Sequence, residues 1–118
     1  MISYFGWADP DIKPMTLINY YNAVKSINSS VDSHFQVFMI PGMFHYRGGP
    51  GPDFFDMVSP LIDWVEQNIA TEQIPAWKET REGKQLSRPL CPYPKEALLE
   101  STEFQCKVPT DIHDLPNL

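Results

Sequence analysis

The stretch QVFMIPGMFHYRGGPGPDFF, residues 36–55, contains the change of pattern that decides the fold. Residues 35–40 are rich in aromatic and branched side chains and end at Pro41 and Gly42, a pattern typical of a strand. The residues that follow are too rich in glycine and proline for regular structure. Between the two parts lies a single histidine, His45, in the kind of loop where functional residues concentrate. We therefore predict a strand followed by a loop that carries a candidate functional histidine.

The residues before this stretch predict a second strand and a helix. Ile2 to Phe5 has the pattern of a short strand and runs directly into the turn GWADP, which contains Asp9. From Met15 to Asn28, apolar residues recur at spacings of three and four, which predicts an amphipathic helix. A strand, a helix and a strand in this order form a crossover unit whose two strands pair in parallel.

The residues after the glycine-rich loop predict a second helix and then a tail. Helical spacing of apolar residues resumes at Phe54, and Ser59 and Pro60 suit the N-cap and first turn of that helix. Beyond residue 70 there is little periodicity, and five prolines occur from Pro89 onward. We therefore predict an α/β part over residues 1–70 and an extended, proline-rich tail over residues 71–118 that wraps a larger body.

Composition excludes several classes of partner. The 118 residues suffice for one small domain, and no apolar run approaches the roughly 18 residues needed to span a membrane. The net charge is −6 and the nine lysines and arginines are scattered, which argues against nucleic acid as a partner. The first ten residues do not have the pattern of a secretory signal. Because the chain opens on a buried type of strand, we expect it to be a fragment of a larger sheet.

Asp9 and His45 are the residues best placed for chemistry. Each follows a predicted strand, in the order in which an α/β-hydrolase supplies the acid and the histidine of its catalytic triad. A carboxylate can hold a histidine ring in the tautomer and orientation that general-base catalysis requires. The residues alone leave an alternative open, in which Asp9 forms the turn before Pro10 and His45 is a hydrogen-bonded loop residue.

The other residues that could take part in chemistry have simpler interpretations. His34 and His113 lie in polar, turn-like stretches and are expected at the surface. The glycines of the His45 loop, Gly48, Gly49 and Gly51, are expected to shape that loop and not to bind an anion, because no helix start follows them. No Gly-x-Ser-x-Gly motif occurs, so the 118 residues cannot complete a serine triad in this order.

Three ordered motifs carry a resemblance to a known family. They are GWADPDIKPMTLINYYNAV (residues 6–24), FMIPGMFHYRGGPGPDFFDMVSPLIDWVEQ (residues 38–67) and RPLCPYP (residues 88–94). Together they resemble the C-terminal part of the tannase and feruloyl esterase family, secreted α/β-hydrolases that cleave esters of plant phenolic acids. The resemblance implies that Asp9 is the triad acid and His45 the triad base. It also implies that the serine, the oxyanion hole and a calcium-binding lid lie upstream of these 118 residues, and that the substrate is an aromatic ester.

The family pattern also bears on three further positions. In most of the family a cysteine follows the histidine and forms a disulfide with a cysteine just before the serine, whereas here the residue is Tyr46. Either packing of Tyr46 holds His45 in place, or the parent protein is a degenerate member. Similar family members close a local loop with a disulfide in the region of Cys91 and Cys106; the alternative is two free thiols, and the spacing matches no zinc site.

Two functions therefore remain open for this chain. One is a carboxylic ester hydrolase with a Ser-His-Asp mechanism, of which the chain holds the acid and the base. The other is an inactive truncated product or a non-catalytic interaction module, which the missing serine favours for the chain taken alone.

Overall fold

A computed structural model describes residues 1–110, and strands dominate it after residue 70. The elements are β1 (Ile2–Gly6), α1 (Met15–Ile27), a 3-10 turn (Val31–Ser33), β2 (Gln36–Ile40), β3 (Phe54–Phe55), α2 (Val58–Gln67), β4 (Ile74–Thr80), β5 (Gly83–Leu90), β6 (Glu96–Glu100) and β7 (Glu103–Lys107). The longer helix has 13 residues, and no helix in this described part is long and apolar enough to cross a membrane. His113 lies outside the described residues.

The strands β1 and β2 pair in parallel, with Ile2 opposite Gln36 and Gly6 opposite Ile40. The helix α1 connects them, as the crossover pattern of the sequence predicts. One face of α1 buries Ile18 and Tyr21 against side chains of β2 and the segment before it. That core consists of Ile18, Tyr21, Val31, Phe35, Val37 and Met39. Removal of these apolar surfaces from water fixes the helix on one face of the strand pair.

The prediction of an extended, proline-rich tail over residues 71–118 did not include the strands that residues 74–107 form. Here β4 and β5 form an antiparallel sheet with the short strand β3, and β6 and β7 form a hairpin. Pro75 of β4 lies directly opposite Pro89 of β5. In an antiparallel pair, facing residues alternate between hydrogen-bonded and non-hydrogen-bonded positions, so two facing prolines occupy a position where no N–H is required. The prolines that argued against strands are therefore compatible with them.

The central strand of this second sheet, β4, alternates in burial, with Ile74 and Ala76 buried and Pro75 exposed between them. This period of two sends every other side chain into a second core. The core combines β2 and the start of the His45 loop with β4 and β5, through Phe38, Ile40, Met43, Ile74, Ala76 and Leu90. The second sheet therefore packs against the strand that leads to His45.

The helix α2 begins two residues earlier than predicted, at Val58, with Met57 and not Ser59 at the N-cap position. Asp56, and not Ser59, satisfies the free N–H groups of the first turn. Its Oδ1 accepts hydrogen bonds from the backbone N–H groups of Val58 (2.9 Å) and Ser59 (3.0 Å), and its Oδ2 accepts one from the Ser59 hydroxyl (2.6 Å). A carboxylate at this end also interacts favourably with the helix dipole.

Most of the apolar face of α2 is exposed within residues 1–110. Trp64 is the one buried residue of the helix, whereas the side chains of Val58, Ile62 and Val65 are 65%, 46% and 77% exposed. Ile69, just past the helix end, is also exposed. Contiguous exposed apolar surface of this kind marks a contact surface.

The predicted disulfide is confirmed: Cys91, just after β5, is bonded to Cys106 in β7, with the two Cα atoms 5.7 Å apart. The bond closes a loop with a sequence separation of 15 residues. In the chain-entropy model, such a loop stabilises the folded state by about 3 kcal/mol. The hairpin of β6 and β7 is thereby attached covalently to the sheet that packs against β2.

One buried carboxyl lies at the start of this hairpin. Glu96 is 8% exposed, and its burial raises the pKa of the carboxyl to about 7. The Arg88 guanidinium and the indole of Trp7 act in the opposite direction without cancelling the effect of burial. Trp7 belongs to the same turn as Asp9, so the Glu96 carboxyl lies close to the turn that carries this candidate functional residue.

We expect the protein to lose stability as the pH rises from about 4.5 to about 7. The ordinary pKa of a glutamate lies near the lower limit, so over this range the folded state holds a proton on Glu96 that the unfolded state has released. Between these pH values, Glu96→Gln should reduce the loss in the free energy of unfolding by an amount on the order of 2 kcal/mol. Urea denaturation followed by tryptophan fluorescence at several pH values measures it. The exposed Glu103→Gln serves as the matched control, and equal pH slopes for wild type and Glu96→Gln would contradict the prediction.

Candidate active site

The parallel pairing of β1 and β2 brings the turn after one strand against the loop after the other. The carboxyl ends of parallel strands meet at the same edge of the sheet, and here Gly6 is opposite Ile40. Beyond the strands, the Trp7 N–H donates to the Ile40 carbonyl (2.9 Å) and the Ala8 N–H donates to the Met43 carbonyl (3.1 Å). The backbone itself therefore joins the Asp9 turn to the His45 loop.

This approach depends on the glycine at position 6. A Cβ atom built on Gly6 would lie 2.2 Å from the Met43 carbonyl oxygen and 2.4 Å from that of Phe44. Both contacts are far inside van der Waals distance, and both are with backbone, which cannot rotate away. The sequence pattern GWADP thus begins with a glycine because the His45 loop passes directly over it.

The carboxylate of Asp9 is held by three hydrogen-bond donors. Its Oδ1 accepts the backbone N–H groups of Asp11 (2.8 Å) and Ile12 (3.0 Å), which form a tight turn around it. Its Oδ2 lies 2.6 Å from Nδ1 of His45, so the structure brings together the two residues that the sequence singled out. Burial of the carboxyl acts to raise its pKa, but the hydrogen bonds from His45, Ile12 and Asp11 outweigh it and hold the pKa of Asp9 below its ordinary value.

The His45 loop is closed by backbone hydrogen bonds across its glycine-rich part. The Gly51 N–H donates to the Gly42 carbonyl (3.0 Å), and the Phe44 N–H donates to the Gly48 carbonyl (3.1 Å). A Cβ atom on Gly51 would lie 1.9 Å from the Pro41 carbonyl oxygen, so no other residue fits there without a shift of the backbone. The predicted role of these glycines in loop shape is confirmed.

Sequence reasoning missed two residues that fasten this loop to the second sheet. The Gly48 N–H donates to Oδ2 of Asp53 (2.8 Å), and the same oxygen lies 3.2 Å from Nζ of Lys78 in β4. The Asp53 side chain is 11% exposed, so this ion pair is largely shielded from water. Asp53 follows the loop directly, but no local pattern could show that a lysine 25 positions later would meet it.

The site opens onto a cavity of about 270 Å³. The cavity is lined by Tyr4, Phe5, Gly6, Asp9, His45 and Tyr46. The Asp9 side chain is 2% exposed, whereas that of His45 is 33% exposed. The carboxylate is therefore enclosed behind the imidazole, and the imidazole is the group that an incoming molecule can reach.

The arrangement is suited to general-base catalysis. In the tautomer that carries its proton on Nδ1, His45 donates to Asp9 and leaves Nε2 as a hydrogen-bond acceptor. Within residues 1–110, no hydroxyl group is hydrogen-bonded to Nε2. His34, in contrast, is exposed, with the Ser33 hydroxyl 3.5 Å from its Nδ1, as the sequence predicted for a surface histidine.

A metal site is a competing interpretation of the same cluster. Asp9, Asp11 and His45 offer possible ligand atoms within 4.8 Å of one another. Both oxygens of Asp9 already accept hydrogen bonds, and Nδ1 of His45 points at one of them, 2.6 Å away. Asp11 is exposed and contributes a backbone N–H to the turn. The geometry therefore fits an aspartate that orients a histidine better than it fits a set of metal ligands.

Known proteins resemble this chain over most of its length. The family model for tannase and feruloyl esterase matches residues 1–108. The chain is 35% identical to a mono(2-hydroxyethyl) terephthalate hydrolase of Piscinibacter sakaiensis, over 92% of this chain and 20% of that protein. It is 34% identical to a probable feruloyl esterase of Arthroderma benhamiae, over 80% of this chain and 19% of that protein.

The fold is also that of a solved relative. The crystal structure of an esterase from Aspergillus oryzae superposes with a TM-score of 0.73 and 25% identity, over 90% of this chain and 27% of that one. The chain spans about a fifth of the length of the curated relatives it matches. It belongs to the tannase and feruloyl esterase family.

Proposed function

We propose that this chain supplies the general base and its orienting acid to a carboxylic ester hydrolase that acts on esters of aromatic acids through a serine nucleophile. The observation that carries the proposal is the 2.6 Å contact between Nδ1 of His45 and Oδ2 of Asp9 at the ends of two adjacent parallel strands. This is the position of the acid and the histidine in α/β-hydrolases.

In the proposed mechanism, Nε2 of His45 takes the proton from the serine hydroxyl as its oxygen attacks the ester carbonyl. The imidazolium then donates that proton to the leaving alcohol, and an acyl-enzyme remains. Water attacks the acyl-enzyme with His45 again as the base, and the acid is released. Asp9 stays ionised throughout, because its pKa is held below the ordinary value, and its charge stabilises the imidazolium.

The nucleophile would come from a segment outside these 118 residues. Among the described residues β1 pairs on one side only, with β2, so its other edge is open to a further strand of a larger sheet. The exposed apolar face of α2 offers a second surface for such a segment to cover. Both features support a catalytic domain of which this chain forms one part.

Two observations support an aromatic ester as substrate, and a third supports an oxidising compartment. The cavity beside His45 has aromatic rings from Tyr4 and Phe5 in its lining, which suits a flat, apolar acyl group. Two of the relatives named above are hydrolases of a terephthalate ester and of feruloyl esters. A disulfide such as Cys91–Cys106 persists in oxidising environments, which supports the proposal that the protein is secreted.

The test is an assay of the extended protein, in which this chain follows a nucleophile-bearing segment. That segment is taken from the reading frame upstream of the Met1 codon, or from the terephthalate ester hydrolase relative. The substrates are methyl ferulate and mono(2-hydroxyethyl) terephthalate, with methyl butyrate as the aliphatic comparison. Hydrolysis of the aromatic esters with the higher kcat/KM is expected. Failure to cleave any of the three, or a preference for methyl butyrate, would overturn the proposal.

A further inference from the structure

The ring of Tyr46 lies against the imidazole of His45. The two ring centroids are 4.2 Å apart, and the planes are inclined by 48°. Tyr46 is 63% exposed, and its side chain lines the same cavity as His45 and Asp9. A large aromatic side chain this exposed gains little from burial, and its one aromatic ring contact within residues 1–110 is with His45.

The backbone at Tyr46 is in a conformation that tyrosine rarely adopts. Its φ is 46°, in the left-handed region, and the Arg47 N–H donates to the His45 carbonyl (2.8 Å) around it. Three-residue turns closed in this way with a positive central φ are strained. Glycine or asparagine would fit this position with less strain than tyrosine, because a Cβ and a bulky ring disfavour it. Strained residues of this kind cluster at functional sites, where the surrounding structure maintains them.

We infer that Tyr46 is a positioning residue, whose ring restricts the imidazole of His45 to the orientation in which Nδ1 meets Asp9. The three-residue turn aims the tyrosine ring back over the histidine, and Asp9 holds the imidazole at Nδ1. Contacts at two places fix a ring that one hydrogen bond alone would leave free to rock. The inference rests on the proposed function, because the orientation matters only if Nε2 acts as a base.

The ring of Tyr46, and not its hydroxyl, is the group that acts. Among residues 1–110, no hydrogen bond of this hydroxyl occurs, whereas the aromatic face makes the contact with His45. Tyr46→Phe keeps the ring and should therefore keep the positioning. Tyr46→Gly removes the ring and at the same time suits the left-handed backbone, so it separates loss of positioning from loss of folding.

Leu86 provides a matched control. It is also a non-glycine residue with a positive φ (53°), and it is 62% exposed, compared with 63% for Tyr46. It does not line the cavity that contains His45. Leu86→Gly therefore also removes an exposed side chain from a residue with a left-handed backbone. It does so outside the cavity that contains His45.

The experiment compares kcat, KM, melting temperature and the low-field proton NMR spectrum of the extended protein and its variants. Tyr46→Gly should lower kcat by roughly 10-fold to 100-fold, which a small misplacement of a catalytic group can cause, with little change in KM. Its melting temperature should not fall. The low-field resonance of the proton between His45 and Asp9 should broaden or vanish, whereas Tyr46→Phe and Leu86→Gly retain both the resonance and kcat.

Two results would overturn the inference: a Tyr46→Gly variant with wild-type kcat and an intact low-field resonance, or a Leu86→Gly variant with equal losses. The NMR measurement does not depend on ester cleavage. If the extended protein cleaves no ester, the proposed function fails, whereas a resonance that is lost in Tyr46→Gly and kept in Leu86→Gly still supports the role of Tyr46 in orienting the ring.

Discussion

His45→Ala in the extended protein is expected to remove nearly all ester hydrolysis, and Asp9→Asn to lower kcat by a factor on the order of 10⁴, as in serine proteases. The first change removes the base itself. The second leaves an amide whose NH₂ group can donate to Nδ1 of His45, which favours the tautomer with its proton on Nε2. That tautomer cannot accept the serine proton. Initial rates on methyl ferulate at saturating substrate measure both effects.

The double variant tests whether the two residues act as one unit. Once His45 is absent, the orientation that Asp9 provides has nothing to act on, so adding Asp9→Asn to His45→Ala should cause little further loss. The surface variant His34→Ala is the control for removal of a histidine, and it should keep full activity. A His45→Ala protein that retains its rate would show that the Asp9 and His45 pair is a structural contact. Multiplicative losses in the double variant would contradict a shared role.

Asp9 and His45 could be predicted because their signals are local. Each follows a run of strand-forming residues, and each sits beside residues typical of turns. A helix between two strands imposes parallel pairing, and parallel pairing places the two strand ends at one edge. This topology brings the two turns together, and the 2.6 Å contact between the side chains agrees with it, although the residues alone left open a turn-forming Asp9 and a structural His45.

The strands after residue 70 could not be predicted because their signals are not local. Proline usually disfavours strands, and only the partner strand shows that Pro75 and Pro89 face one another where neither needs an N–H. The ion pair between Asp53 and Lys78 is likewise not local in the sequence, since it depends on how the second sheet lies against the loop. The sequence therefore predicted that Asp9 and His45 follow adjacent strands, but not what holds the His45 loop in place.

The helical spacing of apolar residues correctly predicted α2, but it did not show that the apolar face of this helix would be exposed. Val58, Ile62 and Val65 recur at helical spacing, and the helix forms, but these side chains remain in contact with solvent within residues 1–110. Periodicity shows which face of a helix seeks burial. It does not show whether the covering surface lies in the same stretch of chain.

Gly6→Ala is expected to be among the most damaging changes at residues that carry no chemistry. The added methyl group would lie 2.2 Å from the Met43 carbonyl oxygen and 2.4 Å from that of Phe44, so the turn and the loop must move apart. The hydrogen bond between the Ala8 N–H and the Met43 carbonyl spans this gap and would be broken or stretched. Asp9 lies in the turn and His45 in the loop, so the 2.6 Å contact between their side chains would lengthen as well.

We therefore expect Gly6→Ala to lower kcat by roughly 100-fold or more, although both proposed triad residues remain, because misplacement of about 1 Å can have such an effect. Overpacking should also reduce the free energy of unfolding by about 1–3 kcal/mol. Rates on methyl ferulate and urea denaturation measure the two losses. Gly83→Ala is the control, because a Cβ there meets no atom within 4 Å, while its φ of 102° makes alanine strained. That variant should lose stability and keep its rate. A Gly6→Ala protein with a rate within about twofold of wild type would show that the two loops do not need this close approach to place His45 on Asp9.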